Sequence, residues 1–155
     1  DSTPSVIALS RQKVPYVNPE NSKKNKCKNG AYLIKITSHE SNVTLIASGT
    51  EVELALKVQV KLQENNIHSK VVSMPCMELF DKQSDKYKMD LIEEGSLIIT
   101  LEAGSVSSWQ KYVKNKGLNL GIDQFGESAP YKEVYDHFNL TEEKITNFIQ
   151  KKLRE

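Results

Sequence analysis

The sequence predicts an α/β fold on a mixed, mainly parallel sheet, and three observations carry that prediction. First, residues 43–48 form a short β-branched apolar run that stops at Gly49, residues 51–64 follow with helical spacing, and residues 69–73 resume a strand before Pro75. Strand, helix and strand within about thirty residues make a βαβ unit, whose two strands run parallel. Second, residues 97–101 (Leu-Ile-Ile-Thr-Leu) are almost unbroken in apolarity, as in a strand covered on both faces. Third, residues 31–36 form a strand that reaches the βαβ unit through the short polar turn 37–42. So short a connection excludes a parallel crossover and makes this first strand an antiparallel edge.

Taken in order, residues 4–9 (Pro-Ser-Val-Ile-Ala-Leu) have the composition of a strand, with no helix after them to carry it into the same sheet. Residues 12–29 are polar and rich in Lys, Asn and Pro, with lysines at 23, 24, 26 and 28. A loop of that length is rare inside a compact domain and common between domains. Residues 1–10 are therefore expected to end a preceding domain, 11–29 to be a linker and 30–155 to be the domain proper. The lysine cluster is expected to be a solvated linker surface.

Within the βαβ unit, Thr50-x-x-Glu53 has the pattern of a capping box. Val52, Ala55, Leu56, Gln59 and Leu62 set the buried stripe, with Glu51, Glu53, Lys57, Lys61 and Glu64 largely off it. Residues 77–92 predict one or two short helices with a break near 81–84. Trp109, Tyr112 and Val113 mark a helix that Gly117 closes as its left-handed C′ residue. Residues 119–122 make a short last strand. Tyr131, Val134, Tyr135 and Phe138 form one apolar helix face after Pro130, and Thr141 caps a final helix whose Ile145, Phe148, Ile149 and Leu153 are expected to be buried.

With 155 residues the chain suits one compact domain with an appendage, and its net charge of +1 supports neither a nucleic-acid stripe nor an acidic-substrate funnel. No apolar run is long enough to span a membrane. Cys27 and Cys76 are far apart and read as free thiols in a reducing, cytoplasmic compartment. Asp1 is not an initiator methionine, so the natural amino terminus, with any targeting segment, is expected upstream.

Two turns could hold a ligand, because each follows a strand and opens a helix: Ser48-Gly49-Thr50, and Glu102 through Gly104 and Ser105. Each reads equally as a capped helix end. No G-x-G-x-x-G or G-x-x-x-x-G-K-[ST] element is present. Arg11 lies at the carboxyl end of the isolated strand, where a guanidinium suits a phosphate or carboxylate. Glu102, Asp123 and Glu127 fall at or beyond strand ends and are acid and base candidates if the fold unites them. His39, His68 and His137 lack ligand spacing, so no metal site and no catalytic residue is assigned.

Five segments then resemble a family: residues 9–12 with Pro15, residues 48–52, residues 72–81 (Val-Ser-Met-Pro-Cys-Met-Glu-Leu-Phe-Asp), residues 102–105, and residues 125–130 (Phe-Gly-Glu-Ser-Ala-Pro). Their order and spacing resemble the carboxyl-terminal domain of transketolase over essentially the whole chain. The resemblance implies a three-layer α/β/α domain on a mixed, mainly parallel five-stranded sheet with its first strand antiparallel. It also makes residues 6–9 the last strand of a pyrimidine-binding middle domain, and gives Arg11 the phosphate of a sugar-phosphate substrate. The asparagine usual after that Ser-Arg-Gln motif is Lys13 here. The implied enzyme is a homodimer that moves a two-carbon ketol unit between sugar phosphates, using thiamine diphosphate and Mg or Ca. The Gly-Asp-Gly element and the activating glutamate that grip the cofactor are absent from this chain, so they belong to the amino-terminal and middle domains, and the fragment alone is expected to be inactive. Two other readings stay open: a stand-alone nucleotide- or anion-binding module, and the last domain of another thiamine diphosphate enzyme.

Overall fold

The computed structural model describes residues 4, 6–7, 12–17, 25–92, 95–113 and 117–155. Arg11, half of the strand expected at 6–9 (residues 8 and 9) and the lysines at 23 and 24 lie outside these residues; Val6 and Ile7 are exposed. The described elements are β1 (Tyr32–Ile36), β2 (Val43–Ala47), α1 (Glu51–Glu64), β3 (Ser69–Ser73), α2 (Met77–Asp81), α3 (Asp85–Leu91), β4 (Leu97–Leu101), α4 (Gln110–Val113), β5 (Leu118–Leu120), α5 (Tyr131–His137) and α6 (Glu142–Lys152).

The five strands form one sheet in the order β1-β3-β2-β4-β5. β2 pairs in parallel with β3 on one side and β4 on the other, and β5 extends the sheet in parallel along β4. β1 is the antiparallel edge, but its partner is β3 and not the strand that follows it. The short turn after β1 therefore steps past β3 to reach β2.

Every residue of β2, β3 and β4 is buried, because helices cover both faces of the sheet. The two-residue period of a strand divides the core into two clusters. Val43, Leu45 and Ala47 of β2, with Val71, Leu97, Ile99 and Leu101, meet α1 through Val52, Ala55, Val58 and Leu62 and α6 through Ile145 and Ile149. Ile46, Val72 and Ile98 point the other way, against Phe80 of α2, Leu91 of α3, and Trp109 and Tyr112. This is the expected three-layer arrangement, and each fully buried Val, Leu or Ile contributes roughly 1.5–3 kcal/mol to it.

Several local expectations are corrected. Thr50 lies in the helical region and makes no capping bond, so the capping box does not form. The amides of Glu51, Val52 and Glu53 instead donate to the carbonyls of Ser48, Gly49 and Thr50 at 3.1–3.4 Å, a tight first turn that consumes the donors a box would have satisfied. Glu53 turns outward to Lys57, 2.8 Å away. In α1 the buried stripe contains Val58 and Glu51, while Leu56 is only partly covered.

Gly117 does not adopt the left-handed conformation; a Cβ there would come within 2.3 Å of the Ile98 carbonyl oxygen, so lack of space explains this glycine. The last strand is Leu118–Leu120, shorter and earlier than expected. Residues 26–29 form a single 3-10 turn capped by the Asn25 side chain, inside what reads as a plain linker. Thr141 does cap α6, and Leu140 and Ile145 are both buried as a staple requires. Phe148 and Leu153, by contrast, are 43% and 40% exposed. The two short helices at 77–92 and the free state of both cysteines are as expected.

Gly30 fastens β1 to α2. Its φ is +81° and its carbonyl accepts the Cys76 amide at 3.0 Å. A Cβ would stand 2.2 Å from the Phe80 nitrogen and 2.3 Å from the Cys76 oxygen, both backbone atoms. Gly30→Ala is accordingly expected to lower stability by about 2–4 kcal/mol, through strain plus forced separation of β1 from α2. Urea unfolding followed by circular dichroism measures it; a loss below about 0.5 kcal/mol would contradict the close approach.

Candidate functional site

From β2 the chain runs through α1 to β3 on one side of the sheet, then returns past β2 to β4 on the other side. The carboxyl ends of the adjacent strands β2 and β4 are therefore the topological switch point, where connections diverge and leave a crevice in open α/β sheets. Ala47 and Leu101 are in register there, so the next residues, Ser48 and Glu102, are neighbours across the two strands. The sequence marks both turns as ligand loops without showing that they meet, and the structure joins them.

The site is a chain of polar contacts. Ser48 Oγ lies 3.5 Å from Glu102 Oε2, and the indole Nε1 of Trp109 donates to the same oxygen at 3.2 Å. One turn away, Thr50 Oγ1 and the Tyr135 hydroxyl both donate to Glu51 Oε1, at 2.6 and 2.5 Å. Glu51 is only 4% exposed. Trp109 arrives from the turn after β4 and Tyr135 from α5, so three separate segments converge on two carboxylates.

Burial first, and then the negative charge of Glu51, raise the pKa of Glu102 above the usual carboxylate value; the bonds from Trp109 and Ser48 oppose this and are outweighed. Burial and the bond to Glu51 likewise raise the Tyr135 phenol, which stays protonated and remains a donor. The neighbourhood is thus acidic, and the amides of Glu51, Val52 and Glu53 are already bonded to carbonyls. It disfavours a phosphate or other anion, which would face two carboxylates.

The remaining candidates fall elsewhere. In the second turn Gly104 uses its carbonyl to accept the Ile122 amide at 2.8 Å. Asp123 Oδ1 accepts from Ser105 Oγ at 2.9 Å and from the Val106 amide at 3.0 Å, which makes it a clamp on that turn. Glu127 is exposed and has no hydrogen-bond partner among the described residues. Glu102, Asp123 and Glu127 therefore have separate partners. His39, His68 and His137 are exposed, and among the described residues no group of three or more His, Cys, Asp or Glu side chains could hold a metal ion. Among the described residues no helix is long and apolar enough to cross a membrane. Beside the switch point a mixed-charge groove of about 740 Å³ runs between α1 and α5, with Val14, Leu54, Lys57 and Tyr131 in its walls.

Sequence reasoning missed Glu51, Trp109 and Tyr135 as members of this cluster. Periodicity places Glu51 off the buried stripe, and Trp109 and Tyr135 read as plain apolar anchors. The available signal was positional: Glu51 follows a strand-end Ser-Gly-Thr turn, and a tyrosine on a buried face needs a partner for its hydroxyl.

Two outcomes follow from this geometry. Tyr135→Phe removes a charge-assisted bond to a buried carboxylate and is expected to cost about 1.5–3 kcal/mol in thermal or urea unfolding. For Glu102, the native carboxyl keeps its proton at pH values where the unfolded chain has released it. Its favourable contribution is therefore full below the unfolded pKa and is lost as pH rises through the raised native value. Glu102→Gln keeps an acceptor for Trp109 and is expected to be more stable than the parent at pH 7, with the gain shrinking as pH falls through the raised native value and gone below the usual carboxylate value. Unfolding midpoints across that range test it, and a gain independent of pH would contradict the assignment.

Comparison with known proteins places this architecture. The family model described as a transketolase-like TK carboxyl-terminal domain matches residues 30–141. A transketolase of Rhodobacter capsulatus is 37% identical over 151 residues, covering 94% of this chain and 22% of that protein. A chloroplastic transketolase of Solanum tuberosum is 38% identical, covering 92% of this chain and 19% of its own length. Among solved structures, a transketolase variant from Pichia stipitis superposes with a TM-score of 0.82 at 28% identity, covering 93% of this chain and 20% of that one. The chain spans only about a fifth of such relatives, and the five-stranded α/β/α unit built around β2 belongs to the transketolase carboxyl-terminal domain family.

Proposed function

We propose that this chain serves as the carboxyl-terminal domain of an enzyme that moves a two-carbon ketol unit between sugar phosphates in the pentose phosphate pathway. The observation that carries the reading is coverage: one continuous match runs through 94% of this chain yet occupies 22% of the Rhodobacter capsulatus relative. In this reading residues 1–10 end the preceding pyrimidine-binding domain, 11–29 link and 30–155 form the domain. The whole enzyme is a cytoplasmic homodimer.

Thiamine diphosphate, with Mg or Ca, supplies the carbanion chemistry when bound. The described residues do not fit that group: they hold no metal cluster, and their switch-point turn presents carboxylates where a diphosphate needs donors. We assign both cofactors to the amino-terminal and middle domains. The domain contributes a rigid support for the cleft, and Arg11, at the entry to the linker, contributes a guanidinium to the substrate phosphate. The support for Arg11 is its Ser-Arg-Gln context.

The full-length protein should transfer ketol units while the 155-residue chain alone shows no turnover. In the full-length enzyme, Arg11→Ala is expected to raise KM for phosphorylated sugars by about 10–100-fold, the loss of a charge-assisted contact, while changing KM for unphosphorylated analogues by less than about 2-fold. Steady-state kinetics on the two substrate classes decide it, and equal effects would remove the phosphate role.

A further inference from the structure

Residues 123–133 are exposed without interruption, the longest such run among the described residues, although both ends are anchored. Asp123 is bonded to Ser105 and Val106 at one end, and Tyr135 to Glu51 just beyond the other. Between them no backbone amide from Gln124 to Ala129 donates a hydrogen bond to a described residue. The run carries Phe125 at 97% exposure and Tyr131 at 55%, with Ala129 and Pro130 between them and Glu127 as its central charge. α5, which follows, has no fully buried residue, contrary to the apolar face read from its spacing. A large aromatic held almost wholly in water on a fastened loop marks a surface that something else covers.

The covering partner is indicated by the course of the chain. Gln12, Lys13 and Val14 line the same groove as Tyr131 and Tyr135, so the chain enters this domain at the groove between α1 and α5. Relatives have four-fifths of their length outside the matched region. A domain joined to this chain through Gln12 is thus tethered at the groove that Tyr131, within this exposed run, also lines, and is present there at high effective concentration. We infer that residues 124–131 dock onto the preceding part of the same polypeptide, with Phe125 as the anchor seated in an apolar recess. The inference rests on the reading of this chain as a carboxyl-terminal domain.

Hydrogen exchange on the full-length protein tests it. The amides of 124–129 are expected to exchange at least about tenfold more slowly than an unstructured chain, and Phe125→Ser to abolish that protection while amides of α1 keep theirs. Free exchange of the loop in the wild-type protein overturns the inference, whatever the variant does. Protection that vanishes on dilution, as a dimer dissociates, assigns the loop to a second copy and also overturns it. Ketol transfer measured on the same sample separates the two readings: an active enzyme with a freely exchanging loop removes the docking alone, and an inactive protein with a protected loop removes the functional reading alone.

Discussion

The two-sided parallel pairing of β2 is the constraint on which the rest depends. A strand hydrogen-bonded along both edges and covered by helices on both faces has no polar group left for water. All of its side chains must therefore be apolar or internally bonded. Val43, Leu45 and Ala47 face α1 and α6, Ile46 faces the Trp109 side, and Thr44 satisfies its hydroxyl on Ser96 at 2.7 Å. Because the chain leaves β2 for β3 on one side and then returns past it to β4 on the other, the same pairing creates the switch point. Core and crevice thus have one cause.

The crevice is costly for the protein to maintain. Two carboxylates stand close enough for the charge of one to raise the pKa of the other, and Glu51 has almost no contact with water. Such an arrangement persists because each carboxylate receives one donor from nearby in the chain and one from far away: Thr50 and Tyr135 at Glu51, Trp109 and Ser48 at Glu102. Tyr135 is the member that comes from α5, a helix with no fully buried residue of its own. The hydrogen bond thereby joins α5 to the buried first residue of α1, just beyond the carboxyl end of β2.

Close packing on the other face follows similar logic. Phe80, Tyr112 and Trp109 stack edge to face or tilted, with centroids 5.8–6.3 Å apart. Tyr112 donates to Asp81 at 2.8 Å, which with burial pushes its phenol up to about 12, and Lys111 completes the pair with Asp81 at the surface. Glycines stand where backbone meets backbone: Gly30 against α2, and Gly121 within 2.7 Å, at its would-be Cβ, of the Gly104 carbonyl oxygen.

What the sequence by itself determined was the set of elements and the family. The β-branched runs, the helical stripe of Val52, Ala55 and Leu62 and the cap at Thr141 are local patterns, written in neighbouring residues, and the five motif segments have a fixed order. The tertiary structure alone decided which strand lies beside which, and therefore that Ser48 meets Glu102, that β1 joins β3, that Glu51 is buried and that Phe148 is not. Periodicity reports which side of an element is apolar but not how far its neighbour extends over it. Contacts across 54 residues, as between Ser48 and Glu102, depend on the sheet order, which no local pattern encodes.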